Sequence, residues 1–364
     1  MTVTGQRARE LAPAASPEDV VVAWGDRVVP EAPSFRPAGQ TAKAAAGQVG
    51  FGVERLGSLP LSSSKALLAL SHVHGPDGLP LTGEYDAATA ARISMAAHGF
   101  SVVGVRRSRR TGAWLLAERA QAPYNRRLHG GTICKLTGPA AGDRRVRTAA
   151  DPAGTHVRGT FGNNVGTVTP WGSVLSAEGR FADYFESSGE IEPALVSSFA
   201  RYGLGGAGRG WACVDRRFDL SQEPAEAFRY GWVVHLDPRR PSSRPRKLTM
   251  LGRLAHVAAR ATIADDGRAV IRLRDGHPDG HSYVYVSRDV VDHGTRATAS
   301  RHNRKLLTTG TLHLVLPDPL PRGSEEHESW VPLTTDTTSH VPGLSVAGVL
   351  LDTRLATRRF LASR

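Results

Sequence analysis

Several histidines and acids of this chain fall at the ends of strand-like runs, where side chains are held firmly enough for chemistry. His72 and His74 follow the apolar run KALLALS at residues 65–71. Residues two apart on an extended strand share a face. The two imidazoles could therefore hold a metal ion or pass a proton; the alternative is a pair of solvent-facing loop histidines. Glu178 follows Ser173-Val174-Leu175-Ser176, whose polar–apolar alternation marks a half-buried strand. A carboxylate there can serve as a general base or stand as an ordinary solvated acid. Histidine and a carboxylate suffice for acid–base catalysis without a metal. Arg253 could clamp an anionic group through a bidentate fork.

The stretch that must position these groups is GTFGNNVGTVTPWGSVLSAEGRFADYF, residues 159–185. Gly162, Asn163 and Asn164 tolerate positive φ. Thr169-Pro170-Trp171-Gly172 forms a second tight turn that carries a large aromatic ring. Upstream, residues 86–98 read as the clearest helix, with Asp86 as N-cap and Gly99 as the stop. Strands are expected at residues 20–26, 65–71, 100–105, 113–116, 230–238 and 268–274. Residues 1–18 read as a flexible terminus, 19–364 as one domain, and 186–210 as a flap. Short strands punctuated by Gly and Pro argue for an all-β fold with one or two short helices inserted.

The net charge of +12 comes largely from arginine, which favours anionic partners, a small anionic substrate among them. The arginines are scattered, and no nucleic-acid motif accompanies them. No apolar run is long enough to cross a membrane. The N-terminal residues carry no signal-peptide h-region, from which a cytoplasmic location is expected. Cys134 and Cys213 fit no metal or redox spacing and are expected as a reduced, buried pair, with a disulfide neither required nor excluded.

Residues 163–179 resemble the N-C-x-G-G-x-T-P-W-G-T-x-L-T-C-E-E pattern of the PhoX-type alkaline phosphatases, β-propeller enzymes that carry iron and calcium. Asn163, Gly166, Thr169-Pro170-Trp171-Gly172, Leu175 and Glu178 match. Asn164 and Ala177 replace the cysteines, and Gly179 replaces the second acid. Further matches run from about residue 20 to 357. They include Tyr230-Gly231-Trp232-Val233-Val234 against Y-G-W-V-V-E-I-D-P, and Lys247 to Val257 against K-R-T-A-L-G-R-F-x-H-E. The resemblance implies a β-propeller (PhoX-like). It also implies acids that ligate metal at positions which here are Val73, Val257 and Ser282, and a later M-D-R-P-E segment that is missing here.

On this reading, too little negative charge remains to hold a multinuclear centre of hard cations. No bound metal or other cofactor is therefore expected, with calcium as the alternative cofactor. The groups left at the mouth would be Glu178, His256 and His72 as catalytic residues. Arg253, Asn163, Asn164, Trp171, His74, Asp275 and His277 would bind substrate. The leading expectation is a repurposed, metal-independent enzyme of cyclase, lyase or isomerase type acting on a small molecule. The alternatives are a calcium-dependent phosphomonoesterase with a reduced metal site and a non-catalytic binding or scaffold propeller.

Overall fold

A computed structural model describes residues 21–73, 80–117, 122–294, 297–317 and 328–364. The apolar run at residues 65–71 becomes the centre of the first sheet. There β1 (Val53–Ser62), β2 (Lys65–His72), β3 (Gly99–Arg107) and β4 (Trp114–Leu116) lie in that order, and β5 (Arg126–Leu128) also pairs with β3. β2 is buried on both faces, which explains why it reads as a continuous apolar run rather than an alternating one. Ala66, Leu68 and Leu70 pack with Val22, Val28 and Val103. Leu67 and Ala69 pack with Phe100, Val174 and Val234, tying this sheet to the second.

The second sheet comprises β6 (Ile133–Thr137), β7 (His156–Arg158), β8 (Asn163–Val168), β9 (Val174–Glu178), β10 (Val233–Leu236) and β11 (Arg246–Leu248), in the order β7-β6-β11-β10-β9-β8. Only its β6–β11 pair is parallel. The third sheet is an antiparallel meander of β12 (His256–Ile263), β13 (Arg268–Asp275), β14 (Ser282–Val290), β15 (Gly310–Pro317) and β16 (Glu328–Thr335). The edge strand β8 packs against both β1 and β12, so one edge strand from each of the three sheets lies beside the others.

The fold is predominantly β, as its sequence implies. The three sheets do not close into a ring among the described residues, so the expected propeller closure is not seen. Helix is also more plentiful than the one or two short insertions expected. The described residues contain helices at Ala42–Ala45, Ala87–Ala97, Pro193–Arg201, Ala297–Asn303, Val346–Leu351 and Thr353–Ala362. The second of these is the clearest one expected, capped by Asp86 accepting from Thr89 N at 2.6 Å and followed by Gly99 at φ +99°, and the last two fall where residues 348–356 read as the start of a helix. The last two are capped by Ser345 accepting from Gly348 N and Asp352 accepting from Leu355 N.

Two local expectations change. Residues 21–26 form a turn instead of a strand, because Gly25 adopts φ +88° with the Phe35 ring packed where a Cβ would lie. The segment read as a flap contains the helix Pro193–Arg201, whose Phe199 sits in the main core together with Tyr202. Arg201 fastens it to Asp352 at 2.5 Å. That core is strongly aromatic, with Phe161 4.3 Å from Tyr230 and Tyr184 4.6 Å from Trp211. Cys134 is buried and Cys213 exposed, both free, so they do not form the buried pair expected.

Candidate active site

The register of β8 against β9 places Asn163 opposite Glu178, and β12 starts beside them. Glu178 is fully buried, not solvated. One carboxylate oxygen lies 2.7 Å from Lys247 Nζ. The other accepts from Gly231 N at 3.1 Å and Trp232 N at 3.2 Å. Lys247 also donates to the Arg229 carbonyl at 3.1 Å and lies 3.8 Å from the centre of the Tyr230 ring. Burial pushes the Glu178 carboxyl up and the Lys247 ammonium down, and their mutual attraction works against both shifts.

His256 opens β12, with its register partner Asp275 across in β13. Its ring is fully buried beside the Gly231 backbone, and neither nitrogen makes a hydrogen bond of good geometry among the described residues. Burial lowers its pKa to about 4, against the pull of Asp275. Asp275 is itself engaged: it accepts from Arg354 Nε at 2.5 Å, Arg354 Nη2 at 2.6 Å and Ala255 N at 3.2 Å. Arg253 is buried as well, donating to the carbonyls of Tyr230 at 3.0 Å and Ala227 at 2.8 Å. Its guanidinium stacks on Tyr202 at 4.2 Å and Phe181 at 4.8 Å, and Nη1 has no hydrogen-bond partner among the described residues. Burial lowers its pKa. Arg253 therefore braces the aromatic core; it does not offer a solvent-facing anion fork.

Gly179 explains the close approach of β8, β9 and β12. A Cβ there would lie 1.9 Å from the His256 carbonyl oxygen and 2.2 Å from Asn164 Oδ1. The backbone thus leaves no room for the acid found at this position in the pattern. Asn164 accepts from Gly179 N at 3.0 Å, and its Nδ2 has no described partner. Asn163 is buried and turned inward, donating to Thr160 Oγ1 at 2.9 Å and Ser176 Oγ at 3.2 Å.

Glu178, Asn163, Asn164, Arg253, His256 and Asp275 thus form one polar cluster, bridged by the Gly231 backbone and Gly179. The remaining sequence candidates lie elsewhere. His72 is buried in the first sheet, 2.7 Å from Ser101 Oγ, and is held neutral by burial and by the charge of Arg127. His74 lies outside the described residues. His277 sits half-buried in the β13–β14 hairpin, accepting from Asp279 N at 3.1 Å. Trp171 lies at the opposite end of β8 from Asn163. Lys247 and Arg354 were not singled out from sequence. Lys247 lies in a short strand that reads as polar, and only the pairing of β11 between β6 and β10 buries it. Arg354 comes from a helix far along the chain, and no local signal announces its partner.

The chain matches the family described as Alkaline phosphatase PhoX over residues 12–363. Its structure is similar to that of Pseudomonas fluorescens PhoX in complex with vanadate, a transition state analogue. The TM-score is 0.80 and the identity 33%, over 93% of this chain and 59% of that one. This chain therefore spans less than two thirds of that protein's length. No curated protein matches the chain. The chain belongs to the PhoX alkaline phosphatase family.

These relationships overturn the expected cyclase, lyase or isomerase. The family is one of phosphatases, and the structural neighbour was captured with vanadate. The expectation of no cofactor loses its ground with it, because the family resemblance carries iron and calcium. The described residues can be tested against such a centre. Among them, no group of three or more His, Cys, Asp or Glu is placed to hold a metal ion. The nearby carboxylates are already taken up by buried cations, Glu178 by Lys247 and Asp275 by Arg354. The described residues do not fit the multinuclear cluster.

Proposed function

We propose that this chain hydrolyses phosphoric monoesters at the end of β8 that it shares with the start of β12, the three sheets serving as blades of a propeller. The observation that carries the reading is the 33% identity, across 93% of the chain, to a PhoX captured with vanadate. Phosphoryl transfer asks a protein chiefly for positioning and for charge complementary to the transition state. Asn164 is half-buried at this end with an unspent amide N–H pair, suited to a phosphoryl oxygen. His256 lies below it, neutral at working pH, with one ring N–H to donate and one lone pair to accept. Buried polar atoms left without partners are ordinarily met by water. One water would attack phosphorus as the ester P–O bond breaks, and its proton would pass along water hydrogen-bonded to His256 to the departing alkoxide, leaving inorganic phosphate and the alcohol. The net charge of +12 favours a small anionic ester as substrate.

The test is hydrolysis of an aryl phosphate by the purified chain, with and without added calcium and iron. Removing a single hydrogen bond that strengthens in the transition state costs about 100–1,000-fold. Asn164→Ala is expected to lower kcat/KM within that range while its circular dichroism stays that of the parent. Full activity in Asn164→Ala would remove Asn164 from the site.

A further inference from the structure

We propose a second ligand site at the far end of β8, a pocket for a phosphorylated aromatic anion. The Pro170-Trp171-Gly172 turn joins β8 to β9 about 17 Å along the strand from Asn163. It borders a cavity of about 740 Å³ whose walls include Trp171, Arg239, Arg240, Arg304, Asp237 and Asp292. That volume falls in the range of small-molecule sites.

The turn is closed by Thr169 N donating to the Ser173 carbonyl at 2.8 Å and by Gly172 N donating to the Thr169 carbonyl at 2.9 Å. Gly172 has φ +83°, and a Cβ on it would lie 3.1 Å from Arg239 Nη1, so the guanidinium rests against the turn. The two acids of the wall are occupied locally. Asp237 accepts from Arg239 N at 3.0 Å and Ser300 Oγ at 2.6 Å, and Asp292 accepts from Gly294 N at 2.8 Å. The guanidinium groups of Arg239, Arg240 and Arg304 have no carboxylate partner among the described residues. Arg246 adds charge behind them, its pKa lowered to about 10 by burial and by the proximity of Arg304. The half-buried Trp171 supplies an aromatic wall, and its buried Nε1 has no hydrogen-bond partner among the described residues.

Unpaired guanidinium groups recognise phosphate or phosphonate oxygens through paired N–H donors. An indole beside them favours a ligand whose anion is attached to an aromatic ring. Nucleotides and aryl phosphates share that chemistry. The site is independent of turnover at the other end of β8, so it can be tested whether or not the chain hydrolyses esters.

The experiment titrates phenylphosphonate, whose C–P bond a phosphomonoesterase does not cleave, into the whole chain by calorimetry and tryptophan fluorescence. Inorganic phosphate is titrated in parallel. Phenylphosphonate is expected to bind more tightly than phosphate, with a fluorescence change that is lost in Trp171→Phe. Arg239 and Arg240 are exposed, so reversing both charges in R239E/R240E leaves the core intact. That double variant is expected to weaken binding by at least about tenfold. Binding by R239E/R240E equal to that of the parent would overturn the proposal. So would the absence of detectable binding at about 10 mM phenylphosphonate.

Discussion

Lys247→Met isolates the buried charge at the centre of the site. Methionine nearly matches the length of lysine and fills irregular space well, so packing changes little while Glu178 loses its partner at 2.7 Å. Removing one member of a buried ion pair costs about 3–5 kcal/mol, because the remaining charge stays out of water. Glu178 keeps its two backbone donors, Gly231 N and Trp232 N, which places the cost near the lower figure. For a chain of this size, about 3 kcal/mol corresponds to a fall in Tm of roughly 4 °C.

The pH dependence of that cost separates lost charge from lost packing. Burial already raises the Glu178 pKa, and removing Lys247 raises it further. A carboxyl with a raised folded pKa binds a proton more readily when folded, so the variant's deficit is largest at high pH. It shrinks by up to about 1.4 kcal/mol per pH unit as pH falls, vanishing near the unfolded carboxyl value of about 4.3. Neutralising both partners in E178Q/K247M should recover stability to within about 1 kcal/mol of the parent. The assay is urea unfolding of parent, single and double variants at pH 7.5 and 4.5, comparing differences from the parent at each pH. A Lys247→Met deficit below about 1 kcal/mol, or one independent of pH, would refute the reasoning.

Further outcomes follow from the same geometry. Gly179→Ala places a methyl 1.9 Å from the His256 carbonyl; forced backbone displacement of this kind should cost about 1–3 kcal/mol, read as a lower urea midpoint. An unchanged midpoint would show that β12 can give way freely. His129 and His256 each have a pKa lowered to about 4 by burial, so the unfolded chain binds protons there that the folded chain does not. The stability they contribute is complete above about pH 6.5 and is lost as pH falls toward 4, by up to about 1.4 kcal/mol per unit for each. Proton uptake on unfolding at pH 5.5, measured by calorimetry in buffers of different ionisation enthalpy, checks the sign. Asp275→Asn removes the charge that receives both Arg354 contacts and should destabilise by about 3 kcal/mol, seen as a shifted thermal transition.

The sequence makes the family and the predominance of strands legible, because residues 163–179 combine turn chemistry with strand alternation that few other arrangements satisfy; the strand order is not legible, since it rests on pairings such as β6 with β11 between distant segments. The helix at Ala87–Ala97 is legible for a similar local reason, a capping aspartate at one end and a left-handed glycine at the other. What cannot be read is which polar side chains are buried. Glu178 looks like a free acid at a strand end, yet Lys247 and two backbone amides enclose it through contacts across 53 residues or more. Arg253 looks like an anion clamp and proves to be a brace on Tyr202 and Phe181. The same long-range placement separates Trp171 from Asn163, although both belong to one short motif, because β8 runs between them. Residue types also misled the functional reading. Substituted acids suggested new chemistry, whereas similarity over nearly the whole chain points to a phosphatase.

The most direct test of the phosphatase reading is release of inorganic phosphate from an aryl phosphate by the purified chain, followed with and without vanadate across added calcium and iron. The account predicts phosphate release that vanadate suppresses. No release above background in any of these conditions, from protein with an intact cooperative thermal transition, would contradict it.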